Sequence, residues 1–366
     1  MKKVHKVVLF VIAACLVTGG SAVGVLVFTT WGTIDYENTY YYDPGVAASI
    51  ERINIYTDIG SVFIKYNDTP TNYYAQVDLD IHIEGILVKD SNFSDFFYTP
   101  VWQNESSPIT TFILDAKAPA WFYFGLFRQV DIILTLRTDI VYDINTLVGT
   151  GAITMNIAEN AILNNTILES ATGSIFLNSS KNVTFQADAQ LSTSTGSIQL
   201  YAKKVNFSHN LLVSSSTGSL LLNFSSCTIG GDLVGSVATG SIDFNSYNMK
   251  YAGENIWNLH TSTGSIDVTI LQYTEIGSNV TSSVSTSTGS IDVYYRDNSA
   301  NVGAKFTCST STGSNSYNSI GSGGFSQSGG YPTLVITSDD YVSANNKYTL
   351  TVSTSTGSNG VAAESI

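Results

Sequence analysis

The sequence predicts an all-β chain: a repetitive β-solenoid ectodomain, β-helix-like, behind one N-terminal transmembrane helix. Three observations carry that expectation. A Thr-Gly pair recurs at Gly151, Gly173, Gly196, Gly218, Gly240, Gly264, Gly289, Gly313 and Gly357, in steps of 22, 23, 22, 22, 24, 25, 24 and 44 residues. Around each pair, apolar and polar residues alternate with the period of two that marks a half-buried strand. The third is Val7 to Phe28, an uncharged run of 22 residues. A fixed period of about 20 to 50 residues means one supersecondary unit stacked on the next, because no unit buries its apolar side alone.

Residues 1–6 read as a cytoplasmic tail and residues 7–28 as a helix long enough to cross about 30 Å of hydrocarbon. Lys2, Lys3 and Lys6 precede the run and Asp35, Glu37 and Asp43 follow it. The positive-inside rule then keeps the N-terminus cytoplasmic and puts the rest outside, as a single-pass protein of the cell membrane. Two processed forms compete. Cleavage near Gly20-Ser21-Ala22 is opposed by the apolar Val23 to Phe28, and lipidation at Cys15 by Leu16-Val17, where a polar tether belongs. Residues 29–48 carry Tyr36, Tyr40, Tyr41 and Tyr42 and read as a juxtamembrane stalk with interfacial tyrosines.

Residues 49–149 read as an N-terminal β region of the solenoid. Ile53-Asn54-Ile55-Tyr56 alternates, as does Val77-Asp78-Leu79-Asp80-Ile81-His82-Ile83, and Asp131 to Leu136 resumes the strands. Between them, residues 90–127 read as an irregular aromatic insertion. It holds Phe93, Phe96, Phe97, Tyr98 and Trp102, then Trp121, Phe122, Tyr123 and Phe124. Aromatics on an irregular loop suit a partner surface or sugar stacking, and they equally suit a lid over the solenoid's apolar end.

Residues 150–366 form the Thr-Gly repeat. Two and four positions after the glycine are apolar in copy after copy, as in Ile198 with Leu200 and Ile266 with Val268. Five positions before it stand Leu168, Leu191, Val213, Leu259, Val284, Cys308 and Val352. Each coil therefore closes two or three short strands around a stacked apolar core. Glycine turns the chain at one corner, since it adopts left-handed geometry without a Cβ penalty. The odd offsets of Thr193 with Thr195, Thr261 with Thr263, Thr286 with Thr288 and Thr310 with Thr312 match those of the buried positions, so both threonines of each pair are expected to face inward. That parity argues against an ice-binding threonine face. The 44-residue step reads as a doubled one in which a copy lost its signature, giving about nine visible coils.

Coils beginning Ser-Thr-Gly-Ser-Ile, at Ser194 to Ile198 and Ser262 to Ile266, resemble the uncharacterised β-solenoid family labelled "putative adhesin". The stretch Ile53 to Val62 is similar to that family's opening strands. The resemblance covers roughly residues 50–366 apart from the aromatic insertion. It implies a β-solenoid displayed on a cell envelope, often membrane-anchored, and it brings no catalytic residues.

Composition narrows the function. Acids outnumber bases 29 to 16, giving a net charge of −13 that repels nucleic acid and anionic lipid heads. Asp243, Asp267 and Asp292 share the offset three after the glycine in successive coils. That column reads as a solvated acidic stripe or as a place where Ca²⁺ bridges stacked carboxylates. Acids on a coil face also suit a glycan-active β-helix enzyme, yet no histidine recurs beside these. Cys227 and Cys308 sit at core offsets at least three coils apart, too far for a disulfide, and read as buried thiols. His82, His209 and His260 are scattered over different coils. The expected protein is a non-enzymatic surface display or binding protein, adhesin-like in form, with an envelope protein or a glycan as partner. The alternative is an envelope-sensing accessory subunit acting through a membrane partner.

Overall fold

The computed structural model describes residues 31–45, 48–67, 72–86, 88, 91–106, 108–117, 127–179, 181–253, 255–297, 302–320 and 324–365. The expected membrane span at 7–28 lies outside them, and among the described residues no helix is long and apolar enough to cross a membrane. Strand dominates the rest. Consecutive coils pair in parallel and in register: Leu168 faces Leu191, Leu191 faces Val213, and Ile198 faces Leu220. Two strands per coil flank the glycine corner. From residue 162 to 251 a third short strand, such as Thr184–Phe185 or Asn206–Phe207, adds another side.

The core is the stacked inner face of these strands. Ile175, Leu177, Leu191, Ile198, Leu200 and Val213 are all but fully buried. Aromatics pack from level to level, with Phe185 on Phe207 at 4.8 Å and Phe244 on Trp257 at 5.0 Å between ring centres. Such offset ring pairs add about 0.5–1.5 kcal/mol beyond the area they bury. Cys227 and Cys308 are buried free thiols. Burial pushes the Cys308 thiol up to about 12.

Chain order and stacking order part company at both ends. The strands Glu51–Ile59 and Ser61–Asn67 lie between the level Ile109–Leu114 with Phe127–Arg137 and the level Tyr142–Thr150 with Ile153–Ile157. The chain thus builds the second level before the first. At the other end, Asn346–Ser365 pairs with Val280–Thr288 and Ile291–Asp297 on one side and with Val302–Ser319 on the other. The last segment in sequence is therefore the penultimate level. The 44-residue step is not a lost copy. It is an outermost coil laid down early, an antiparallel excursion through Phe325–Gly329 and Thr333–Ser338, and a return into the gap.

Antiparallel strands cover part of each end, which limits the open edges a parallel stack would present. Ala75–Ile86 pairs with Phe127–Arg137, and Trp31–Tyr42 pairs outside it. Residues 31–42, expected as stalk, are thus a strand of the body. Tyr42 is buried and its hydroxyl donates to Glu51 Oε2 at 3.2 Å, a buried partner that anchors the strand. The aromatic stretch from residue 90 is likewise structured where it is described, with a one-turn helix Phe93–Phe96 and strands Val101–Ser106 and Ile109–Leu114. Phe93 stacks on Tyr36 at 3.9 Å, and Trp102 packs on Phe112 at 5.2 Å and Tyr42 at 5.6 Å. These rings close the end of the core, as a lid does.

Candidate functional site

The glycine corner organises the outer surface. Ten glycines stack, because Gly60 joins the nine of the Thr-Gly pairs, and their φ values run from +121° to +151°. A Cβ on Gly218 would stand 1.9 Å from the carbonyl oxygen of Gly196, so neither the conformation nor the space admits a side chain. From Gly60 to Gly289 each of these glycine N–H groups donates to the threonine carbonyl one level on, as Gly196 does to Thr217 at 2.9 Å.

Three positions before the glycine the hydroxyl is buried and donates to the glycine carbonyl of the neighbouring level. Thr193 reaches Gly173 O at 2.9 Å, Ser215 reaches Gly196 O at 2.9 Å, and Thr261 reaches Gly240 O at 3.1 Å. Val148 and Val237 interrupt this ladder. The threonine next to the glycine does not face inward as parity predicts. Thr195, Thr217, Thr263 and Thr288 are exposed. The strand register runs from Ser170 with Thr193 to Thr172 with Thr195 and omits the residue between, so the backbone bends there and alternation ends one residue before the turn. The parity argument against an outward threonine ladder therefore fails, although the ladder is a single column.

Beside the corner lies the main concavity, a groove of about 790 Å³ running along the solenoid. Its floor is the buried hydroxyl row with Ser170, Thr193, Ser215 and Val237. One wall is the in-register row Ser192, Ser214, Ser236 and His260; the other holds Ser194, Ser216, Ala238 and Ser262. From Asp115 to Ser262 it crosses eight stacked levels, about 34 Å at the strand spacing. Small residues recur in both walls, so the groove is an outcome of the repeat. Its two ends differ. His260 closes one, its Nδ1 3.0 Å from Ser285 Oγ. Asp58, Asp115 and Glu169 line the other, where burial first and Asp58 second push the Asp115 carboxyl above the ordinary range. Glu169 continues the row of Ser192 and Asp58 that of Ser194, while Asp115 lies outside the repeat, so the meeting of Asp58 with Asp115, made by the inserted level 51–67, left no periodic signal in the sequence.

The aspartate column is a separate feature. Asp243, Asp267 and Asp292 are exposed and face one another on adjacent strands. Burial, then Asp292, then Asp243, pushes Asp267 upward. The column spreads one carboxylate per level along the axis rather than around a point. Among the described residues, no group of three or more His, Cys, Asp and Glu side chains is placed to hold a metal ion. His82 is half-buried, with Nδ1 2.6 Å from Asp35 Oδ1. Trp121, Phe122, Tyr123 and Phe124 lie outside the described residues.

No family model matches the chain, and no curated protein matches it. Among solved structures, a "putative cell adhesion protein" from Clostridium sporogenes aligns over 90% of this chain and 100% of its own, at 10% identity and a TM-score of 0.26. A "putative adhesin" from Bacteroides fragilis aligns over 90% and 97%, at 10% identity and a TM-score of 0.33. Likenesses this distant carry no argument about ligand or chemistry, and the resemblance of the Ser-Thr-Gly-Ser-Ile coils rests on those residues themselves.

Proposed function

We propose that the chain is a membrane-anchored, non-enzymatic surface protein that binds an extended glycan along the serine-walled groove. The groove is the observation that carries this reading. It is long, open and continuous, and two rows of short hydroxyls offer a repeating set of donors and acceptors with no cationic side chain among them. A polymer with a repeating polar outline meets the same chemistry at each level, so affinity accumulates by repetition rather than at one pocket. The uncharged run from Val7 to Phe28 supports anchoring with this surface outside the cell.

The test fills the groove. Full-length protein in detergent is screened on a glycan array, and Ser216→Trp is compared with wild type. The expected result is at least a tenfold loss of binding at unchanged melting temperature. Binding that survives Ser216→Trp sinks the groove, and capture of an envelope protein in place of any glycan replaces the ligand class. A second reading, cleavage of the bound glycan, rests on Asp58 and Asp115 lying together at one end of the groove, where burial and then Asp58 push the Asp115 carboxyl upward. Release of shortened chains by wild type and not by Asp115→Asn would establish it.

A further inference from the structure

The outermost level of the stack, Val302–Ser319, is covered on its outer side over only part of its length. Thr333–Ser338 pairs with it from Lys305 to Ser309. The cover ends at the corner, where the Thr310 N–H donates to the Pro332 carbonyl at 3.1 Å and the Tyr331 hydroxyl donates to the Ser311 carbonyl at 2.8 Å. Beyond the corner, among the described residues, no strand pairs with the outer side of residues 313–319.

That edge has the geometry of an interior level. At interior levels the glycine N–H and the N–H two residues on donate to the next level, as Gly264 does to Thr288 at 2.9 Å and Ile266 to Ser290 at 3.0 Å. The matching groups of the outermost level are Gly313, which keeps the corner φ of +146°, and Asn315. Strand alternation adds Tyr317 and Ser319. It is the Asn315 side chain, not its main chain, that reaches the Pro332 carbonyl, at 2.8 Å.

Proteins protect such edges with charge, proline or cover. At the opposite end the outermost strand, Trp31–Tyr42, carries Asp35 and Glu37. Here the sequence from Phe306 to Ser338 holds no Asp, Glu, Lys, Arg or His. The aspartate column also stops short, since Gly360 and Ser316 follow Asp292 in register. Two copies of a chain with net charge −13 repel, and this uncharged end is where they repel least. Ser314, Ser316 and Asn318 are exposed and small, so a neighbour is held there by main-chain hydrogen bonds rather than by apolar burial.

We propose that residues 313–319 pair antiparallel with the same residues of a second copy, around a two-fold axis at Ser316. The edge is self-complementary in that register. Asn315 meets Tyr317 and Gly313 meets Ser319, so every outward N–H faces an outward carbonyl. Because strands stack along the solenoid axis, the two copies run end to end with their Trp31 ends farthest apart. With the anchor proposed above, they would come from facing membranes; the pairing itself does not rest on that reading.

The test is sedimentation equilibrium of the full-length protein in detergent. Wild type is expected to show a concentration-dependent dimer. Ser314→Glu with Asn318→Glu places like charges opposite one another on both sides of the axis and should weaken the dimer at least tenfold at unchanged melting temperature. Ser314→Glu with Asn318→Lys places opposite charges there and should keep it. In a Cys15→Ser background, Ser316→Cys should cross-link to itself on mild oxidation, since residues facing each other at such a position are within disulfide reach, whereas Asn318→Cys, which faces Ser314, should not. Wild type that stays monomeric at every concentration overturns the proposal. So does a dimer indifferent to the paired glutamates, or a different protein captured at Ser316→Cys in place of a second copy.

Discussion

At the scale of single residues, the corner holds because three groups act at fixed offsets. Glycine supplies positive φ and the absence of a Cβ, the hydroxyl three before it reaches the neighbouring glycine carbonyl, and the residue between bends the strand. Val237 breaks the second of these where its neighbours Ser215 and Thr261 keep it. The carbonyl that would be its acceptor belongs to Gly218, one level back. Threonine has nearly the volume of valine, and a net hydrogen bond contributes about 0.5–1.5 kcal/mol. Val237→Thr is therefore expected to stabilise the chain by that amount and Thr261→Val to destabilise it similarly, as read from denaturant midpoints at constant m. A loss of stability in Val237→Thr would mean the hydroxyl cannot adopt the rotamer its neighbours use.

At the scale of elements, the repeat was legible wherever local patterning and tertiary packing agree. The offsets of Ile198, Leu200 and Leu191 give strand, face and phase because alternation along a regular strand has one solution. Thr195 escaped because alternation says nothing about a bend. Trp31–Tyr42 escaped because tyrosines at a membrane exit and tyrosines on an edge strand have the same composition, and only the pairing with Ala75–Ile86 separates them. The buried acid at the C-terminal end was equally hidden, since Asp297 is enclosed by the returning segment and feels the charge of Asp340 only through the excursion. Burial leads the causes that push the Asp297 carboxyl up to about 6 from its ordinary 3.8. Hydrogen bonds from the Ser365 hydroxyl and from Tyr295 lower the value, and the charge of Asp340 raises it. A raised acid pKa means the folded chain binds more protons than the unfolded chain between those values. The contribution is complete below about 3.8 and is lost as pH rises through about 6. The stability gap between Asp297→Asn and wild type is therefore expected to widen in favour of the variant from pH 4 to pH 7.5, measured by thermal melts across that range. A gap independent of pH would show that Asp297 titrates alike in both states.

At the scale of the whole molecule, the solenoid is a one-dimensional stack whose order is not the order of synthesis. In a sequential array each coil rests on the one made before it, and the terminal segment is the outermost and the first to fray. Here Asn346–Ser365 is bonded along its length on both sides, by Val280–Thr288 with Ile291–Asp297 and by Val302–Ser319. Beyond Thr310, whose N–H donates to the Pro332 carbonyl at 3.1 Å, the later half of Val302–Ser319 is bonded along the ladder, among the described residues, only to Asn346–Ser365, because the antiparallel strand Thr333–Ser338 stops at Ser309. Amide protection should follow position in the stack, since an interior level opens only when a neighbour leaves. Hydrogen exchange on the intact chain is therefore expected to show the amides of residues 346–362 exchanging more slowly than those of 311–319, despite their closeness to the C-terminus. The same logic makes truncation before residue 346 more damaging than its length suggests, because it removes an inner level and separates Val302–Ser319 from its parallel neighbour. Protection that declines steadily from residue 280 to the end would mean that the levels stack in chain order and that the interleaved end is not the arrangement in solution.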